Sequence, residues 1–238
     1  KPRNGDFVPN LIKQNIKRSL KRYAVAGIVP EILDLKYLFI ETSSKVYYNT
    51  NLAPSASFVS TKVQRDLTAY AESSELNKYG ARFKYSRFLK VIDSSHESVT
   101  SNITTVEMRR DLRLAISEVA EYAIDFGNEF HVKSMNGFNL RSSAFRVLNI
   151  NTDVYLYDVP DLTGEKGQMG IFSLDEGSST PIIQRRNVGV IDYKKGRITL
   201  DPINIVSGKT KDNVDILEIS ATPESNDIIG LQDLYLQL

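Results

Sequence analysis

The sequence predicts an α+β protein, with a mixed helix and strand front half followed by a mostly antiparallel β region. Three observations carry this. Only Gly5, Gly27 and Gly80 precede residue 120, whereas ten glycines follow it, and tight turns between strands are where glycine's freedom at positive φ is used. Beyond residue 144, runs rich in β-branched and aromatic residues recur about every ten residues, the spacing of an antiparallel sheet or sandwich. Ahead of them lie segments whose apolar residues repeat at helical spacing. The chain divides on this reading into a basic helical segment (1–30), a mixed α/β domain (31–112) and a mostly β domain (113–238).

The elements follow in order. Asn10 caps a helix from Leu11 to about Ala26, with Ile12, Ile16, Leu20 and Tyr23 on one face. Gly27 and Pro30 end it. LDLKYLFIE and, after a short break, KVYYN have the composition of two strands. Pro54 interrupts, and a second helix is expected near Thr61, which forms a capping box with Gln64 ahead of Val63, Leu67, Tyr70 and Ala71. Gly80 breaks that helix. A short helix over 86–93 presents Phe88, Leu89 and Ile92. Between Ile103 and Phe126 two periods compete: Leu112, Ile116, Val119 and Ala123 fit a helix, whereas Val106, Met108, Ala120, Tyr122, Ile124 and Phe126 fit alternation. The β-branched start Ile103-Thr104-Thr105-Val106 favours two strands. Further strands are read in AFRVLNI, DVYLYDV, QMGIFSL, PIIQRRN, VGVIDY, RITLDPI, DILEISA and LYLQL. Tyr193 to Arg197 forms a hairpin connection in which Gly196 takes the left-handed position.

Composition removes several classes of function. With 238 residues, 41% hydrophobic and 25% charged, the chain is long enough to bury a sizeable core without disulfides or metals. It has no cysteine, which excludes disulfide frameworks, thiolate nucleophiles and cysteine metal sites, and suits a reducing compartment. No apolar run approaches the roughly 20 residues of a membrane-spanning helix, so no membrane partner is expected. The first residue is Lys1 rather than Met, so a fragment is expected. The net charge of +1 is unevenly spread. Residues 1–22 hold seven basic side chains (Lys1, Arg3, Lys13, Lys17, Arg18, Lys21, Arg22) against Asp6, leaving 23 basic and 28 acidic residues, a net of −5, in the remainder. This basic helix is the segment with the strongest functional pull. It can be a solvated helix covering an apolar surface, a site for an acidic protein partner, or a phosphate-binding element. Aromatic interleaving is absent apart from Tyr23, so nucleic acid is not expected. The candidate interface comprises Leu11, Ile12, Ile16, Lys17, Arg18, Leu20, Lys21, Arg22 and Tyr23.

A search for chemistry finds no catalytic, cofactor-binding or metal-ligating set. The two histidines are His96, in the polar run Asp93-Ser94-Ser95-His96-Glu97, and His131, after Phe130 in a strand. Neither has the neighbours that a metal site needs. No G-x-S-x-G elbow is present, and Ser94-Ser95 and Ser178-Ser179-Thr180 read as turns. Gly208-Lys209-Thr210 has the tail of a phosphate-binding loop, but Ile203 stands where its first glycine belongs. Gly164, Gly167 and Gly170 have the wrong spacing for a dinucleotide fingerprint. The acid pairs Asp175-Glu176 and Asp158 with Asp161 read as solvated surface rather than as a calcium or acid–base site. The sequon Asn102-Ile103-Thr104 is read as incidental.

Several strings, taken in order, carry a family resemblance. FKYSRFLKVIDSS from Phe83, closely followed by SNITTVEMRRDL, resembles the baseplate wedge proteins of T-even-type contractile-tailed phages and, more distantly, the baseplate J-like family. LKYLFIETSSKVYYN, SSAFRV, VGVIDYKKGRITL and the closing stretch with Pro223, Asn226, Asp227 and Ile228 extend the likeness from about Asp34 to the end. The resemblance implies a C-terminal fragment of a structural scaffold subunit. It would assemble with copies of itself, as a homodimer or ring-forming homo-oligomer, and with other wedge proteins into the baseplate ring of the virion, in the host bacterial cytoplasm. It implies no catalytic residues and no cofactor. A tail-associated hydrolase or carbohydrate-binding module is the alternative, wanting a carboxylate pair in a cleft or an aromatic platform. The basic segment before Asp34 lies outside the matched part.

Overall fold

A computed structural model of the chain describes residues 8, 10–25, 27–32, 36–133, 138–175, 177, 178, 180–230 and 234–238. They form two compact units, Lys1–Lys36 and Tyr37–Leu238. In the first unit, helix α1 runs over Asn10–Lys21. It stops short of the expected end near Ala26, which itself lies outside the described residues, as do Lys1, Arg3, Asp6 and Asp34. Arg22 and Tyr23 instead close a tighter turn through Arg22 N–H to Ser19 O (3.2 Å) and Tyr23 N–H to Leu20 O (3.0 Å), a common way for a last turn to satisfy carbonyls.

The second unit opens within β1 (Lys36–Tyr48), from Tyr37 on, and continues with α2 (Ala56–Ala71), β2 (Arg82–Phe83), α3 (Tyr85–Asp93) and β3 (Val99–Arg113). Two sequence expectations are corrected here. The expected break in β1 does not exist. The polar run Glu41 to Ser44 stays extended because each residue pairs in antiparallel register with β3, from Glu41 opposite Glu107 to Ser44 opposite Thr104. Helix α2 starts five residues before Thr61. Ser55 is its N-cap, with its Oγ accepting from Phe58 N–H at 3.2 Å, while Thr61 sits inside the helix and donates to Ser57 O. Val59, Val63 and Tyr70 are its buried residues. The short helix α3 buries Phe88 and Ile92 as its spacing predicts.

The ambiguous stretch resolves as two strands, β3 and β4 (Val119–Asp125), with Val106, Met108, Tyr122, Ile124 and Phe126 all buried. The remainder is mostly β: β5 (Arg141–Ser142), β6 (Arg146–Val147), β7 (Val154–Pro160), β8 (Lys166–Leu174), β9 (Pro181–Asp192), β10 (Arg197–Ser207), β11 (Lys209–Lys211), β12 (Val214–Ala221), β13 (Ile228–Ile229) and β14 (Leu234–Gln237). PIIQRRN and VGVIDY, read as two strands, are one. Asn187, at φ 56°, bends it within the irregular pairing to β8.

Two larger sheets result. One has the order β11-β12-β3-β1-β14, with β5 beside β12. The other has the order β4-β10-β9-β8-β7, with β6 beside β10. The pairs from β1–β3 through β8–β9 are antiparallel. The chain therefore has the α+β organisation expected, with its helices ahead of a long antiparallel run. A continuous apolar core joins Leu38, Ile40 and Met108 of the first sheet, Val63 and Phe88 of the helices, and Leu156, Ile171 and Ile198 of the second.

Candidate assembly surfaces

Helix α1 places Ile12, Ile16 and Leu20 four residues apart, hence along one face, with Leu11 beside them. All four are exposed. Arg18 and Lys21 lie in the last turn, where cations complement the helix C-terminus. The helix thus gathers Leu11, Ile12, Ile16, Lys17, Arg18, Leu20 and Lys21. Arg22 and Tyr23 fall in the turn beyond it, and Tyr23 is 86% exposed.

The acids and histidines of the second unit singled out in the sequence make contacts within the fold wherever they are described. Asp158 is buried. Its Oδ1 accepts from the backbone N–H groups of Asn139 and Leu140, each at 2.8 Å, and its Oδ2 accepts from the Tyr193 hydroxyl at 2.7 Å. Burial first, and the bond to Asp158 second, push the Tyr193 phenol well above its ordinary range. Asp161 closes a turn by accepting from Thr163 and Gly164, and the Thr163 hydroxyl holds its carboxyl below the usual value. So Asp158 and Asp161 do not form a working pair. The Asp175-Glu176 pair and Ser178-Ser179 each include a residue outside the described set.

The histidines are also accounted for. His96 Nδ1 meets the buried Ser98 hydroxyl at 2.8 Å, and its ring lies edge-on to Phe58. His131 Nδ1 meets Glu224 Oε2 at 2.8 Å on the surface. The sequon residue Asn102 donates to Asp93. Lys209 lies in β11 and pairs with Glu218 rather than closing a phosphate loop. Gly170 lies in β8, where a Cβ would come within 2.4 Å of the Tyr157 ring. It is a packing glycine. No group of three or more His, Cys, Asp or Glu able to hold a metal occurs among the described residues.

What sequence reading missed is an ion network across the first sheet. Arg109 of β3 bonds Glu41 of β1, Asp111 of its own strand and Glu218 of β12, and lies 4.2 Å from the centre of the Phe39 ring. Burial lowers its guanidinium's pKa, but Asp111, Glu41 and Glu218 outweigh that and hold it above the ordinary value. Lys211 joins Asp111 at 2.9 Å. Alternation places Glu41, Arg109, Asp111 and Glu218 on one sheet face, but the pairing of β1, β3 and β12 that brings them together is long-range.

Two hollows are lined without any carboxylate. One, of about 410 Å³, lies between β1 and α2. The other, of about 400 Å³, is lined by Phe138, Leu140, Arg141, Tyr155 and Phe172 among others. Acid–base glycoside chemistry needs two carboxylates across such a space, and neither hollow supplies one.

In the second unit Asp158, Arg109, His96 and His131 all make internal contacts, and in the first the apolar residues of α1 are exposed. Residues 36–111, which span β1 to the end region of β3, match the family "Baseplate structural protein gp6, C-terminal domain III". Over 177 residues, 72% of this chain, the sequence is 28% identical to the baseplate wedge protein gp6 of Enterobacteria phage T4. The chain spans about a quarter of that relative's length (26%). The likeness read from the strings after Asp34 therefore holds over most of the chain. The family is described as structural, and among the described residues no helix is long and apolar enough to cross a membrane.

Proposed function

We propose that this chain is a scaffold segment of a phage tail baseplate, located in the virion and joined to other wedge proteins after synthesis in the host cytoplasm. The observation that supports it most is the likeness to a baseplate wedge protein along 72% of the chain. The engagement of Asp158, Arg109, His96 and His131 in internal contacts is consistent with it. On this reading the chain is not an enzyme and takes no cofactor. The basic segment 1–30 is an assembly arm. Leu11, Ile12, Ile16 and Leu20 supply the apolar centre of a contact, and Lys17, Arg18, Lys21, Arg22 and Tyr23 its rim. Its partner is an acidic protein surface, such as the body of a second copy, whose net charge beyond residue 22 is −5. Nucleic acid is not among the proposed partners.

Two experiments test the reading. Purified chain should hydrolyse esters, peptidoglycan and nucleotides no faster than a blank. Activity that vanished in His96→Ala or His131→Ala would contradict it. Electron microscopy of particles assembled from the full-length protein and its neighbours should place the chain in the baseplate ring. Particles that assemble normally without it would contradict the scaffold role.

A further inference from the structure

Strand β1 has thirteen residues, but its neighbour on the side away from β3 has only four. That neighbour is β14, and its Tyr235 ring packs on Tyr37 at the start of β1. The four described residues of β14, anchored there, are too few to run along residues 43–48. On that side these residues have no strand partner among the described residues, so alternate N–H and C=O groups of the backbone face outward. Beside this bare edge, α3 packs over β3 and α2 packs on α3. A cleft of about 410 Å³ is left between α2 and the helix-side face of β1. Val46 and Tyr48, with the hydroxyls of Thr42 and Ser44, form its floor, and Val59, Val63 and Leu67, with the polar Ser60 and Gln64, form its wall. No lining residue is ionisable except the Tyr48 phenol. Lys45 and Tyr47 point to the opposite face, where the ammonium sits over the ring at 5.3 Å, so they do not close the cleft.

We propose that residues 43–48 accept an extended, uncharged segment of another baseplate polypeptide as an added strand, with its alternate small apolar side chains seated in the cleft beneath α2. A row of outward amides and carbonyls is satisfied as a set only by another backbone, which is what strand addition supplies. The period of two then sends every second side chain of the guest toward α2. The absence of charge in the lining disfavours an acidic or basic guest, because an ion seated there would lose water without gaining a partner. A second copy is the poorer guest. Antiparallel pairing of two such edges, centred on this stretch, would bring the two Lys45 ammonium groups together across the ladder. This site is separate from α1 and does not depend on self-association.

The test uses the full chain and a capped seven-residue peptide of alternating valine and serine, followed by fluorescence anisotropy and by amide exchange. Saturable binding is expected, with slowed exchange confined to alternate amides of residues 43–48. Ser60→Phe fills the cleft from the exposed side of α2 and should weaken binding by at least about tenfold, with an unchanged melting temperature. A peptide of the same length with proline at alternate positions should not bind. Binding indifferent to Ser60→Phe, no saturation up to millimolar peptide, or protection of the same amides in the free chain through self-pairing would each overturn the proposal.

Discussion

Asp158 and Gly196 show opposite ways in which one residue fixes the second unit. Asp158 is a buried acceptor with three donors. Replacing it by alanine leaves two backbone N–H groups and a phenol unpaired in the interior, so Asp158→Ala should cost about 2–4 kcal/mol in denaturant unfolding. Tyr193→Phe should cost about 1 kcal/mol. The Tyr193 shift also fixes a pH dependence. Its phenol is raised in the fold above the ordinary 10.0. Its contribution is complete below that value and is lost as the unfolded chain, but not the folded one, releases the proton at higher pH. Unfolding measured between pH 9 and about 11 should show a falling limb that is shallower in Tyr193→Phe.

Gly196 has φ 62°, and a Cβ there would lie 1.9 Å from Asn128 O. Gly196→Val should therefore cost about 2–4 kcal/mol, more than the left-handed backbone alone accounts for. A thermal melt unchanged within error would remove this hairpin from the account. The turn was legible because its demand is local, a tight connection between two apolar strands. The Asn128 contact was not legible, because the residues lie 68 positions apart. Asp158 was misplaced among solvated acids for the same reason: its donors come from another part of the chain.

At the scale of elements, period and composition reached the type of most segments, including the two strands between Ile103 and Phe126, where two periods competed. Boundaries moved where a backbone partner overrode the local signal. The polar centre of β1 reads as a break until β3 is laid beside it. The start of α2 was assigned to Thr61 because a capping box is a sequence pattern, whereas Ser55 after Pro54 holds the actual cap. This makes a clear contrast. Ser55→Ala should lower stability by about 1 kcal/mol, while Thr61→Ala, inside the helix, should be neutral or slightly stabilising because alanine is the better helix former. Equal losses at both positions would contradict the placement of the N-terminus.

For the whole molecule, the uneven charge and the apolar stripe of α1 were visible in the first thirty residues, while the exposure of that stripe and the geometry of any contact were not, since an interface is defined by two surfaces. The proposed contact has an apolar centre and a basic rim meeting an acidic body, so it should weaken as salt screens the rim. Ile12→Asp with Ile16→Asp, both on exposed positions, should abolish it without changing the melt. Sedimentation of the purified chain at several tens of micromolar, in low and in high salt, tests the assembly claim most directly. A dimer or larger species is expected that shifts toward monomer at high salt and is lost in the double variant. A strict monomer in both salts would contradict it.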